Sequence, residues 1–168
     1  MSNWNLLLSA ILLMSASIFV TQSALAEDLC NTSIIVSSTD KTELVSFVES
    51  AVAYAQENGK DKALAEFSNK TGSFVRGDLY IYAYDFNGTN IAHPFKSDWI
   101  GTNKLNETDS NGVLYIRNLI DVAKEGNGFT YFIFPNPAHD NKDEFKIGYV
   151  MKVDNDWWLG SGIYLSCS

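Results

Sequence analysis

Residues 79–93 read LYIYAYDFNGTNIAH, and this stretch decides the fold. From residue 79 to residue 85 tyrosines alternate with other residues, and this period of two predicts a β-strand. Asn87-Gly88 then supplies the strongest short-range hairpin signal, and residues 89–93 form the returning strand. The stretch therefore predicts an antiparallel β-hairpin.

The sequence before the hairpin has the period of helices. Asp40 and Glu43 resemble a capping box, and apolar residues then recur at helical spacing until Asn58-Gly59 ends the helix. A second, short helix is predicted over residues 61–68. The first third of the domain is therefore predicted to be helical.

The sequence after the hairpin predicts one more helix and three more strands. Residues 94–108 have the composition of a loop, and Asp109 or Ser110 can then cap a helix that Gly126 ends. The strands are predicted over residues 128–134, 144–153 and 157–165, and the last two form a hairpin. The resulting fold is α+β, a five-stranded antiparallel sheet with a long N-terminal helix packed on it.

Length, charge and motif content exclude several classes of function. The 168 residues suit one domain, and 46% of them are hydrophobic, so the chain can build a core. A formal net charge of −8 without a basic patch excludes nucleic acid as a partner. The chain has no Gly-x-Ser-x-Gly elbow and no set of metal ligands. We therefore expect no enzyme activity, no metal and no cofactor.

Residues 1–26 resemble a secretory signal peptide. Residues 6–20 are uncharged and mostly apolar, and Ala24-Leu25-Ala26 has the small-residue pattern of a cleavage site. An uncleaved N-terminal anchor is the alternative, because residues 6–26 could just span a bilayer. Both alternatives place the predicted domain, residues 27–168, outside the cytoplasm, either secreted or tethered to the membrane.

The sequence has two cysteines, Cys30 and Cys167, near the two ends of the predicted domain. An even number of cysteines in an exported chain suggests a disulfide between them. Two free buried thiols, or cross-links between chains, are the alternatives. On the chain-entropy account a bond that closes so long a loop contributes about 4 to 5 kcal/mol before strain.

Short motifs in a fixed order connect the sequence to a known family. They span residues 44–164 and comprise Asn58-Gly59-Lys60, Gly77-Asp78-Leu79-Tyr80, His93-Pro94, residues 109–112, residues 126–128, Pro135-Asn136-Pro137, Tyr149-Val150 and residues 160–164. In order and spacing they resemble the single Cache domain, the extracellular sensor module of chemoreceptors and histidine kinases.

The resemblance implies a PAS-like sheet whose concave face encloses a pocket for a small molecule, commonly a short organic acid. Four residues stand at positions that resemble those holding the ligand carboxylate in the family, namely His93, Lys146, Tyr149 and Tyr131. Tyr82 is expected to add a hydroxyl, because buried tyrosines bring a polar group to an apolar cavity. The expected pocket walls are Phe95, Trp99 and Phe134.

Residue chemistry alone leaves alternatives for the two charged candidates. Lys146 shares a strand face with Gly148 and Val150, and if that face is buried the ammonium needs a counter-charge that a carboxylate ligand supplies. Alternatively, Lys146 lies on the solvent face. His93 either donates to the ligand, as a neutral ring or as an imidazolium that makes binding pH-dependent, or is structural at a strand end. We expect His139 to be a solvated loop residue.

These observations favour a standalone extracytoplasmic module that binds a small carboxylate. Signalling members of the resembled family usually carry a second transmembrane helix and an output domain after the last strand. This sequence ends at Ser168 without them, so we expect a separate membrane receptor or kinase partner to read ligand occupancy. The alternative is a cell-surface scaffold that keeps the fold and uses its outer face for protein contacts.

Overall fold

The computed structural model describes residues 38–165, with side chains from residue 40 onward. The predicted signal peptide and both cysteines of the predicted disulfide, Cys30 and Cys167, lie outside the described residues. The helices and strands of the described part are α1 (Ser38–Asn58), α2 (Lys60–Phe67), β1 (Val75–Arg76), β2 (Leu79–Tyr80), β3 (Tyr82–Asp85), β4 (Asn90–Ala92), α3 (Tyr115–Lys124), β5 (Asn127–Asn136), β6 (Lys142–Lys152) and β7 (Trp157–Leu165).

Five strands form one antiparallel sheet in the order β4-β3-β7-β6-β5. The two C-terminal hairpins supply most of it: β5 pairs with β6 from Asn127 to Asn136, and β7 pairs with β6 and with β3. Strands β1 and β2 form a separate two-stranded ribbon. The α+β fold with a five-stranded antiparallel sheet is therefore confirmed, and it is the PAS-like fold that the resemblance implies.

Helices α1 and α2 cover one face of the sheet. Leu44, Val48, Ala51 and Ala55 follow one another at helical spacing and are all buried. They pack with residues on one face of β3 and β7, among them Leu159. We refer to this side of the sheet as the α1 face.

Helix α3 and the segment of residues 93–114 cover the opposite face. Ile116, Leu119 and Ile120 are buried against aromatic side chains of β2, β3 and β5. We refer to this side as the α3 face. Because successive residues of a strand point to opposite faces, each of the long strands contributes to both layers.

The predicted hairpin is present, although its first strand is shorter than expected. Asp85 Oδ1 accepts hydrogen bonds from the backbone N–H groups of Asn87 and Thr89, at 2.9 and 2.8 Å, and Gly88 has φ 87° in the turn. The expectation of one strand over residues 79–85 is wrong. Leu79 and Tyr80 pair with β1, whereas Tyr82 onward pairs with β4 and β7, so the strand divides at Ile81.

Two predicted helix caps are also wrong. Asp40 lies inside the first turn of α1 rather than before it. Asp109 does not start α3, which begins six residues later at Tyr115. Its carboxylate instead accepts from the backbone N–H groups of Asn111 and Val113 and, through its other oxygen, from that of Ile133 on β5. None of the helices between residues 38 and 165 has the length and apolar character needed to cross a membrane.

Candidate functional site

A buried cavity lies between the sheet and α3. The gaps between its side chains have room for about one water molecule, within about 260 Å³ of space that protein atoms do not fill and that is partly open to solvent. Four tyrosines, four apolar residues, one histidine and one lysine line it, namely Tyr80, Tyr82, Tyr84, Tyr115, Ile116, Leu119, Phe132, Phe134, His93 and Lys146.

The period of the strands brings these side chains together. Tyr82 and Tyr84 are two residues apart on β3, and Phe132 and Phe134 are two apart on β5, so each pair points to the α3 face. Lys146 on β6 lies opposite Phe132 and therefore shares that face. The cavity wall on the sheet side is thus a direct consequence of the alternating pattern.

Lys146 is buried among aromatic rings, with 1% of its surface exposed. Its Nζ lies 4.0 Å from the ring centre of Tyr80, 4.3 Å from that of Tyr164 and 5.6 Å from that of Phe134. No acidic side chain of the described residues forms an ion pair with it. Burial therefore holds the pKa of Lys146 well below its usual value, and the charge of Asp78 opposes this only in part.

The Tyr164 hydroxyl is the hydrogen-bond partner of Lys146. Nζ donates to Tyr164 Oη at 3.2 Å, and Tyr164 Oη donates to the carbonyl oxygen of Pro135 at 2.9 Å. The hydroxyls of Tyr80 and Tyr164 are also 3.0 Å apart. Because an amine has further hydrogens to donate, Lys146 can serve an additional acceptor placed in the cavity.

His93 accepts a hydrogen bond through Nδ1, and its burial favours a neutral ring that can donate through Nε2. It is 2% exposed, and its Nδ1 accepts from the backbone N–H of Phe95 at 3.1 Å, so the ring proton is on Nε2. Burial, followed by the charges of Lys146 and Lys96, lowers the pKa of His93 to about 3. Of the two forms that the sequence allowed, the structure favours the neutral ring over the imidazolium.

This arrangement is suited to a small anion with an apolar part. A carboxylate placed beside Lys146 would supply the counter-charge that the protein does not, and a neutral N–H or hydroxyl can donate to its other oxygen. The remaining walls, which include Ile116, Leu119 and Phe132, are apolar. Within residues 38–165 no three His, Cys, Asp or Glu side chains are grouped as metal ligands.

The structure brings four of the eight predicted site residues together. Lys146, His93, Tyr82 and Phe134 line the cavity. Phe95 and Trp99 lie at its border: Phe95 packs edge-on against Tyr80 at 5.0 Å, and Trp99 packs edge-on against Phe134 at 6.0 Å.

Tyr131 and Tyr149, two of the predicted site residues, do not line the cavity. Tyr149 is three residues from Lys146 and Tyr131 is one residue from Phe132, so both point to the α1 face. Tyr131 is 58% exposed there. Tyr149 donates its hydroxyl to Asn127 Oδ1 at 3.0 Å, away from Lys146.

The sequence analysis missed several residues around the cavity. Tyr80 has the same strand parity as Tyr82, and Phe132 has the same parity as Phe134, so the alternation already contained both. The place of Tyr164 beside Lys146 could not be predicted from the alternation, because it depends on the register in which β6 pairs with β7. His139, expected in a solvated loop, is exposed there, and its ring lies 2.7 Å from Glu144 Oε1.

Comparison with known proteins finds the same fold in sensory proteins and a relative that is a sensor histidine kinase. The model of one family, described as single Cache domain 2, matches residues 39–166. A curated relative, the sensor histidine kinase MctS of Rhizobium johnstonii, is 36% identical over 89 residues, which make up 52% of this chain and 19% of the kinase. The chain thus corresponds to about a fifth of that relative's length.

Solved structures include two close matches in fold. A methyl-accepting chemotaxis protein from Vibrio parahaemolyticus superposes with a TM-score of 0.66 at 32% identity, over 76% of this chain and 90% of that one. A Cache chemosensory domain, solved to explain its recognition of carboxylic acids, has a TM-score of 0.66 at 21% identity, over 84% and 99% of the two chains. At that lower identity the likeness shows the fold alone.

Proposed function

The chain belongs to the single Cache domain 2 family, and from that premise we propose that it binds a small carboxylate in the Lys146 cavity. The resemblance noted from the sequence motifs is thereby confirmed. Cache domains are extracellular sensor modules, and this chain is one of them. The ligand, its binding residues and the partner that reads its presence form the proposal.

The buried amine of Lys146, which has no acidic partner within ion-pairing distance among the described residues, is the observation that carries the proposal. Burying a charge without a partner costs free energy, and proteins rarely retain such a group unless it has a task. The described residues give this amine aromatic rings and one tyrosine hydroxyl as direct contacts, whereas the carboxylate of Asp78 acts on it only from beyond ion-pairing distance. A bound carboxylate supplies the missing charge and forms a charge-assisted hydrogen bond.

The size of the cavity restricts the ligand to a few heavy atoms. The gaps hold about one water molecule, so even a two-carbon acid must displace some of the surrounding side chains. A single cation serves a single carboxylate, whereas a second carboxylate would lie against tyrosine rings and aliphatic side chains. Short monocarboxylates are therefore the proposed ligand class, and the carboxylic acid recognition of one structural neighbour supports this choice by analogy.

A separate membrane protein is the proposed reader of ligand occupancy. The relatives that support this are a chemoreceptor and a histidine kinase, both of which are signalling proteins. The proposed location is outside the cytoplasm, secreted or tethered, as the predicted signal segment indicates.

A thermal-shift series tests the proposed ligand class. Acetate, propionate and butyrate are compared with acetamide, which keeps the shape of acetate without its charge, and with succinate, which adds a second carboxylate. A ligand at about 100 times its dissociation constant stabilises the folded state by about 2.7 kcal/mol, which is readily seen. We expect shifts for the monocarboxylates only, and their loss in Lys146→Met.

The same series can contradict the proposal. Equal shifts with acetamide would show that charge does not select the ligand. Shifts that survive in Lys146→Met would place the anion elsewhere. Absence of shifts for every acid would favour the scaffold alternative, in which the domain acts through protein contacts.

A further inference from the structure

The part of the Lys146 cavity that holds the amine is closed to solvent, so a ligand reaches it only if part of the wall moves. His93 and Lys146 are at most 2% exposed, and Phe134 is 6% exposed. The space inside is no larger than about one water molecule needs. The part of the wall that opens then controls how fast a ligand arrives and leaves.

Two surface grooves adjoin the cavity through shared side chains. The larger, which we call the Trp99 groove, has about 570 Å³ of free space and shares Tyr115 and Phe134 with the cavity. The smaller, which we call the Phe95 groove, has about 350 Å³ and shares only Tyr80. Each is a candidate entrance, and the wall that separates it from the cavity decides between them.

The wall at the Phe95 groove is firmly held. Tyr80 is 1% exposed, belongs to β2, and has its hydroxyl 3.0 Å from that of Tyr164. Its ring also lies 4.0 Å below the Lys146 amine and packs against Phe95. Opening this side would break a strand pairing, a hydrogen bond and ring contacts together.

The wall at the Trp99 groove is more loosely held. Trp99 ends a short 3-10 turn, Ser97–Trp99, that has no buried residue, and Ile100 after it is 40% exposed. The indole packs edge-on against Phe134 and His93 of the cavity wall, with 6.0 and 6.3 Å between ring centres. Another close neighbour is the amine of Lys104 in the same loop, 4.2 Å from the ring centre. Loops with few buried contacts open at a lower free-energy cost than paired strands do.

We propose that Trp99 is the gate of the Lys146 cavity and that Asp109 is a positioning residue that holds this gate closed. The inference rests on the proposed carboxylate site, because it concerns access to Lys146. Displacing the Trp99 indole removes the side chain that packs on Phe134, which the Trp99 groove and the cavity share together with Tyr115.

Asp109 connects the end of the segment of residues 93–114, which carries Trp99, to the sheet. Its Oδ1 accepts from the N–H groups of Asn111 and Val113, both at 2.9 Å, and its Oδ2 accepts from the N–H of Ile133 at 3.0 Å. Ile133 immediately precedes Phe134 on the edge strand β5. Both carboxylate oxygens are therefore needed, and the single side-chain oxygen of an asparagine cannot replace them.

Access to Lys146 can be measured without adding a carboxylate ligand, because trace reagent releases only trace acetate. Trace acetic anhydride acylates a neutral amine: the nitrogen lone pair attacks one carbonyl, an amide forms, acetate leaves and the nitrogen loses a proton. Peptide mass spectrometry of the full chain gives the rate at Lys146 relative to the exposed Lys142. If Lys146 is reached through a local gate, its acylation rate does not change in mild urea. If it is reached only by global unfolding, the rate rises steeply with urea.

Matched variants separate the two entrances. We expect Trp99→Leu to accelerate acylation of Lys146 at least about fivefold in the absence of urea, and Phe95→Leu on the other side to leave it within about twofold. Asp109→Asn should also accelerate acylation of Lys146. Asp143 lines the same groove but its carboxylate accepts no backbone N–H group of the described residues, so Asp143→Asn should leave the rate unchanged. Equal rates in all variants, or acceleration by Phe95→Leu alone, would overturn the gate.

A second measurement keeps this result apart from the function itself. For acetate binding, a faster gate raises the association and dissociation rates together and leaves the dissociation constant unchanged, whereas a merely structural lesion weakens binding or lowers the melting temperature. If about 10 mM acetate fails to protect Lys146 of the unaltered chain from acylation, the proposed carboxylate site is contradicted. The acylation rates of the variants still decide the gate.

Discussion

Alternate residues of the same strands build two layers that differ in chemistry. On the α1 face the buried side chains are almost all aliphatic or aromatic hydrocarbons, such as Leu44, Val48 and Leu159. On the α3 face the sheet and α3 bury tyrosines, His93 and Lys146 around a cavity. One sheet thus carries a filled apolar layer on one side and a partly polar, incompletely filled layer on the other.

This difference separates stability from recognition. A filled apolar layer contributes about 25 cal/mol for each Å² of apolar surface that it removes from water. Buried polar groups and unfilled space cost free energy. We infer that the α1 face stabilises the fold enough to maintain the costly Lys146 cavity on the α3 face. The predictions below test this division.

The largest expected effect is a loss of stability on the α1 face. Leu44→Ala removes a fully buried side chain and should lower the free energy of unfolding by about 2 to 5 kcal/mol. Urea denaturation measures it, and acetate affinity of the folded variant should stay within about twofold. A loss of affinity without a loss of stability would show that the two faces are not independent.

Lys146→Met should retain stability and lose acetate affinity, the opposite of Leu44→Ala. Methionine fills a similar volume without a charge to bury, so the free protein should be as stable as before or more stable. The lost charge-assisted bond is worth about 1.5 to 3 kcal/mol, and acetate affinity should fall at least about tenfold.

Calorimetry measures the affinity, and Lys142→Met on the exposed start of the same strand is the matched control. If Lys146→Met destabilises the free protein as severely as Leu44→Ala does, the lysine belongs to the structural layer and the division between the two faces is wrong.

Proton uptake should accompany binding on the α3 face. The ammonium form pairs with a carboxylate, so binding raises the lowered pKa of Lys146. Affinity is then greatest below the free-state pKa and falls as pH rises through the interval between the free and bound values. His93, with its pKa lowered to about 3, stays neutral and adds no step between about pH 5 and 8.

Calorimetry in two buffers of different ionisation enthalpy measures the protons taken up. Uptake should persist in His93→Gln, which retains a donor, and disappear in Lys146→Met. Uptake that disappears in His93→Gln instead would mean that the imidazole, and not the amine, changes its charge.

Local patterns were sufficient to predict most of the fold. The tyrosine alternation and Asn87-Gly88 predicted the hairpin, and helical spacing predicted α1 and α2, because these features depend on neighbours in sequence. The strand divides at Ile81 because Leu79 and Tyr80 pair with the adjacent β1 across the turn at Gly77-Asp78. The late start of α3 goes with a distant partner, since Asp109 binds the backbone of Ile133 instead of capping the helix. No local pattern could reveal Ile133, whereas the turn residues Gly77-Asp78 were a local signal for β1 that the sequence analysis did not use.

Which residues line the cavity was predictable where the strand period was applied. The predicted inward face of β6, with Lys146, Gly148 and Val150, is buried. Tyr131 and Tyr149 were assigned to the same site by similarity to a family, although their odd spacing from Phe132 and Lys146 already directs them to the α1 face.

The smallest expected effect concerns Tyr131. Although this tyrosine resembles a ligand-holding residue by its place in the sequence, its side chain is 58% exposed on the α1 face. Tyr131→Thr keeps a residue that favours strands, so the free energy of unfolding should change by no more than about 0.5 kcal/mol. Acetate affinity should also be unchanged, because the substitution alters nothing that lines the Lys146 cavity. Tyr82→Phe, which removes a hydroxyl on the α3 face, is the comparison. A loss of acetate affinity in Tyr131→Thr as large as that in Tyr82→Phe would mean that β5 turns over when the ligand binds, and that the two faces exchange residues.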